Sequence, residues 1–152
     1  MKWITDDLKK YVQAKEYIDT LIIPLETFHM SQEASFEKDA FQKEVLSIYT
    51  NEIEKELSGR VLLSPTYSYL KKANLEQEAE RLNQWINDIK EQPFTLIFAI
   101  TLDNQWKKIE KNLDCELLWL PAMKPSNIKS EEAVKLIRSQ VEQISELIRS
   151  YW

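Results

Sequence analysis

The 152-residue chain reads as an α/β protein: a three-layer sandwich in which a four-stranded, mainly parallel sheet carries helices on both faces. Two observations predict that class. Four apolar runs, at 20–25 (TLIIPL), 61–65 (VLLSP), 94–100 (FTLIFAI) and 117–121 (LLWLP), alternate with stretches of helical periodicity. The runs are also continuous rather than alternating in polarity, as strands covered on both faces are.

A short helix comes first. Thr5 is placed to cap it, Asp6 and Asp7 suit the positive end of its dipole, and Ile4, Leu8, Tyr11 and Val12 mark its buried side. The first strand follows over 17–25, where Pro24 discourages further central pairing. A polar segment, 26–34, leads into the longest helix, whose apolar face is Phe41, Val45, Ile48, Tyr49, Ile53 and Leu57. Gly59 stands just past that face, where a left-handed residue ends a helix.

The second strand is 61–64, stopped by Pro65, and 66–73 carries no periodic signal. Asn74 with Gln77 forms a capping-box pattern for a helix packing through Leu75, Ala79, Leu82, Ile86 and Ile89, with Trp85 beside the seam. Pro93 introduces the third strand, which ends near Thr101. Asp103 caps a short helix bearing Trp106, Ile109 and Leu113. The fourth strand, with Trp119 in the core, leads through Pro121 and Pro125 to a last helix over 130–150. Its buried face is Val134, Ile137, Val141, Ile144, Ile148 and Tyr151. Right-handed crossovers and analogy with flavodoxin- and Rossmann-like folds give the strand order 2-1-3-4. No linker, repeat or composition shift divides the chain, so 1–152 is expected to be a single domain.

Composition narrows the function classes. The net charge of −5 argues against a broad nucleic-acid-binding surface. The excess is concentrated at 33–58, with seven acidic side chains against three lysines. A solvated helix face explains it most simply; a partner-docking face at 35–58 is the sharper reading. The single cysteine, Cys115, allows no internal disulfide and no cysteine metal cluster, and it opens an apolar run as a small hydrophobe does. Charge appears too early for a signal peptide, and no run has the ~20 apolar residues of a membrane span, so a cytoplasmic location is expected.

Ligand sites in such folds gather at the carboxyl ends of the strands. There the sequence offers Glu26, His29, Ser64, Tyr67, Tyr69 and Asp103 as candidate ligand-binding residues. No catalytic residue, cofactor or metal is assigned. A phosphate cradle needs glycine for close backbone approach, and the one glycine precedes the second strand. Neither CxxC nor GxSxG is present, and Ser64 lies in LLSPT, a strand terminator. His29, the only histidine, has Glu26 three residues before it, but two ligands do not make a metal site. Tyr67 and Tyr69 have the chemistry to line a pocket or to cover a sheet edge. Among five tryptophans, Trp3 and Trp152 lie near the termini, where they either pack the ends down or anchor a partner or second subunit.

The opening MKW, the stretch YIDTLIIPL at 17–25 and LWLPAM at 118–123 resemble the uncharacterised YpiF-like family of Bacillus and its relatives. The resemblance spans nearly the whole chain and rests on strand and turn signatures rather than on chemistry. It implies no activity. With motifs for catalysis missing, the expectation is a non-enzymatic interaction or accessory protein. The alternative is a small-ligand-binding or hydrolase-like protein with its site at the strand ends.

Overall fold

A computed structural model describes residues 1–152. Four helices, α1 (Thr5–Gln13), α2 (Phe36–Glu56), α3 (Leu75–Ile89) and α4 (Glu131–Ser150), surround five strands, β1 (Thr20–Phe28), β2 (Val61–Leu63), β3 (Tyr67–Leu70), β4 (Leu96–Thr101) and β5 (Glu116–Trp119). Short 3-10 turns at Glu33–Ser35 and Asn104–Asn112 complete the chain. Every strand pair is parallel, in the order β2-β1-β4-β5, with β3 also on β1. The predicted class and the predicted order of the four apolar runs are both present. The strand count is corrected from four to five.

The extra strand comes from a break opposite Pro24. The amide of Ser64 donates to the Ile22 carbonyl and that of Lys71 to the Phe28 carbonyl. Even-numbered residues of β1 therefore turn their backbone groups toward β2 and β3, because a strand alternates sides residue by residue. Pro24 falls in that set and has no N–H to give. The ladder lapses there: Ile22 pairs with Leu63 and Leu25 with Tyr67, so two residues of β1 face Ser64, Pro65 and Thr66. Such a bulge splits one lane into β2 and β3. Pro24 does not end β1, which runs on to Phe28 and pairs with β4 through Leu25. Glu26, Tyr67 and Tyr69, expected in loops, consequently lie in strands.

Each face of the sheet has its own core. Ile22, Leu63, Phe98, Ile100 and Leu118 pack beneath α2 and α4. Leu21, Ile23, Leu25, Ile97, Ala99 and Leu117 pack with α3, Trp106 and Tyr11 of α1. Gly59 ends the chain's departure from α2 at φ +91°, in the left-handed region. Asn74 and Ser130 cap α3 and α4 through their side chains, and Asp103 caps the second 3-10 turn. Thr5 does not cap α1; it is the helix's first residue, after Ile4.

Several apolar residues expected in the core stay outside it. On α4 the seam runs through Ala133, Ile137, Val141, Ile144 and Ile148, and Val134 lies one residue, about 100°, off it. Tyr151 is likewise exposed, touching Phe98 edge-on. Trp119 is half-buried beneath the Lys107 ammonium, 3.6 Å from its ring centroid. On α1 only Tyr11 is fully covered, whereas Ile4 and Val12 face outward.

Candidate functional site

The strand order reverses between β1 and β4, because β1 connects outward to β2 while β3 connects back across to β4. Side chains beyond the carboxyl ends of two such strands diverge with their connections and leave an opening. A crevice of about 250 Å³ lies there. Glu26 and Thr27 of β1, Tyr69 of β3, Asp103 after β4, and Lys38, Asp39 and Lys43 of α2 line it, with Lys71 at its edge. A neighbouring hollow shares Glu26, Thr27, Asp39 and Lys43 with it and adds His29 and Phe36.

Two hydrogen-bonded networks form its walls, one around Tyr69 largely buried and one around Asp39 partly exposed. Tyr69 donates its phenol proton to Asp103 Oδ2 at 2.7 Å, and the Trp106 indole N–H donates to the same phenol oxygen at 2.8 Å. Burial, reinforced by the Asp103 charge, pushes the Tyr69 phenol well above its ordinary pKa, so it stays a proton donor. The second network joins His29 Nε2 to Asp39 Oδ2 at 2.7 Å, with Lys71 Nζ on the same oxygen at 2.7 Å. Burial acts to raise the Asp39 pKa. Hydrogen bonds from Lys71 and His29, with the Lys71 charge, outweigh it and hold the carboxyl below its usual range. His29 Nδ1 is buried without a hydrogen-bond partner.

The six candidates divide. Glu26, Tyr69 and Asp103 share the crevice, and His29 sits in the adjoining hollow. Tyr67 turns away: its hydroxyl bonds the backbone oxygen and carboxylate of Glu78, both at 3.1 Å, and Arg81 covers its ring. Burial, with the Glu78 charge, raises the Tyr67 phenol as well. Ser64 lies back along the sheet, its amide on Ile22 and its hydroxyl on the Pro65 carbonyl. Six strand residues separate Ile22 from His29, so the two lie roughly 23 Å apart at a strand's rise. Ser64 and His29 therefore form no nucleophile–base pair. Cys115 offers none either, since burial pushes its thiol to about 12.

Asp39, Lys38, Lys43 and Lys71 were missing from the sequence-derived set. The signal for the first three was their place in the first two turns of α2, the helix that leaves the end of β1. Nothing in 66–73 signals Lys71, because the four residues of β3 that carry it to the crevice have no periodic pattern long enough to read.

A second concavity, about 670 Å³, lies between α1 and α3. Trp3, Tyr11, Val12, Trp85, Ile89 and Phe94 line it, and Ser64 and Pro65 reach its border. Trp3 is 63% exposed. Trp152 behaves differently: its indole N–H bonds Thr20 Oγ1 at 2.9 Å, and the Arg60 guanidinium covers its ring at 4.1 Å. The acidic stretch is largely paired. Asp39, Glu52, Glu54 and Glu56 each have a cationic partner, leaving Glu33, Glu37 and Glu44.

Comparison with known proteins agrees with the strand and turn signatures. No solved structure matches the chain. The Uncharacterized protein YpiF of Bacillus subtilis (strain 168) is 32% identical over 110 residues, covering 70% of this chain and 69% of the relative. The model of the family described as "Protein of unknown function (DUF2487)" matches residues 9–152. The chain belongs to that family.

Proposed function

We propose that this protein is a non-enzymatic, cytoplasmic interaction protein that holds a protein partner in the groove between α1 and α3. The observation that carries the reading is Trp3, exposed at 63% on the rim of a groove floored by Tyr11, Trp85, Ile89 and Phe94. Val12 in the groove wall is also exposed, as are Ile4 and Tyr17, which flank α1 in the sequence. A large aromatic side chain left in water gains most when a partner covers it, and such residues are the usual anchors of interfaces. At the strand ends Tyr69 is bonded to Asp103 and His29 to Asp39, and neither pair sets a nucleophile beside a base. No helix is long and apolar enough to cross a membrane.

Affinity capture with wild-type protein, Trp3→Ala and Val12→Glu tests the reading. One partner retained by the wild type and lost by both variants is expected. A partner held equally by all three would contradict the groove.

The crevice between β1 and β4 favours a second reading, a small-ligand site at the strand ends. Its support is position: it lies at the point of strand reversal where open parallel sheets bind ligands. Thermal-shift screening with small polar metabolites tests it, since a ligand specific to the native state raises Tm. No shift with any compound would count against it.

A further inference from the structure

We propose that the crevice between β1 and β4 accepts a small zwitterion, its carboxylate toward α2 and its ammonium toward the strand ends. The inference rests on the small-ligand reading of that crevice and adds the ligand's chemical class. Volume comes first. At about 250 Å³ the crevice lies just under the ~300 Å³ where pockets for drug-sized ligands begin, which suits an amino-acid-sized molecule.

Charge then separates the candidates. Asp39 is matched inside the wall by Lys71 and His29. Four charges remain without an ionic partner: Lys38 and Lys43 from α2, Glu26 from β1 and Asp103 after β4. The two carboxylates accept only from neutral donors, Asp103 from Tyr69 and the Gln105 amide and Glu26 from Ser68, which leave their charge unneutralised. Two are positive and two negative, and the two signs come from different elements. A simple anion satisfies the lysines and meets the carboxylates with like charge. A simple amine does the reverse. Only a molecule carrying both charges answers both walls, and Thr27 and Gln105 add neutral hydrogen-bonding groups.

The test uses ω-amino acids of two to six carbons, each beside the alkanoate and alkylamine of the same length. Binding is followed by amide chemical-shift titration of the full chain at low salt. At least one ω-amino acid is expected to bind tenfold more tightly than both of its matched compounds and to shift residues 25–27, 38–43 and 102–105. Lys38 and Lys43 are exposed, so the K38A/K43A double variant keeps the fold and is expected to weaken that binding at least tenfold. Glu26→Gln, which retains an acceptor for Ser68, is expected to weaken it about fivefold. An alkanoate or alkylamine binding there as tightly as the zwitterion overturns the proposal and leaves the small-ligand reading standing. Binding unchanged in K38A/K43A also overturns it. If no probe moves the crevice residues, the proposal and the reading beneath it both fail.

Discussion

Trp106 gives its buried indole N–H to the phenol oxygen of Tyr69, and the two rings meet edge-on at 5.3 Å between centroids. Neither residue was expected to meet the other, and together they tie the second 3-10 turn to strand β3. Tyr69→Phe keeps the ring but leaves the Trp106 N–H without an acceptor and Asp103 without its phenol donor. A buried polar group stranded in this way costs about 1–3 kcal/mol. Urea denaturation of Tyr69→Phe is expected to show a loss in that range with an unchanged m-value. A loss under ~0.5 kcal/mol would show that the network is not formed.

Gly59 isolates a backbone effect. At φ +91° a β-carbon meets nothing within 4 Å, so substitution brings no clash and only the left-handed conformation is penalised. Gly59→Ala is expected to cost about 1 kcal/mol and Gly59→Asn less, because asparagine tolerates that region better than alanine. Equal losses for the two variants would mean that something other than the backbone angle is being measured.

Asp39 sets an acid limb. Its folded pKa lies below the ordinary carboxylate value, so its stabilising contribution is complete above ~4, where the unfolded chain titrates, and is lost as pH falls through the lower folded value. Asp39→Asn is expected to be less stable than wild type at neutral pH and to converge on it in acid. Asp19 has a similarly lowered pKa, with burial opposed by Arg60 and Thr20, and keeps a residual acid limb in the variant. Urea midpoints between pH 7 and pH 2.5 check this. A constant gap across that range would contradict it.

Arg60 links three parts of the chain, since it bonds Asp19 through two nitrogens and covers Trp152. Lysine cannot reproduce that planar fork, so Arg60→Lys is expected to lose about as much as Arg60→Ala, about 1 kcal/mol each. Because the pair is partly exposed, the loss is expected to shrink in high salt. Full retention of stability in Arg60→Lys would show that the charge alone suffices.

The main strands and helices were legible because long apolar runs such as 94–100 and the caps at Asn74 and Asp103 are local signals that tertiary packing did not override. The order of the strands in the sheet came from analogy with flavodoxin- and Rossmann-like folds, not from any local signal. The strand Tyr67–Leu70 was not legible: four residues beyond a proline carry too short a pattern, and its separation from β2 depends on Pro24, adjacent in the sheet but far away in the sequence. The crevice was legible only as a place. Glu26 and Asp103 were found from strand ends, but Lys38, Lys43 and Lys71 reach it through helix geometry and an unrecognised strand. Ile4 and Val12 carried the right periodicity for burial, and nothing local said that no element would cover them.

That uncovered face bears on the central claim that the α1–α3 groove holds a protein partner. The most direct measurement places a photo-reactive benzoylphenylalanine at Val12, with Ser47 on the far side of the sheet as control, and irradiates intact cells. A single discrete adduct from position 12, absent from position 47 and abolished by Trp3→Ala, is the predicted result. No adduct at position 12, or the same adducts from both positions, would contradict it.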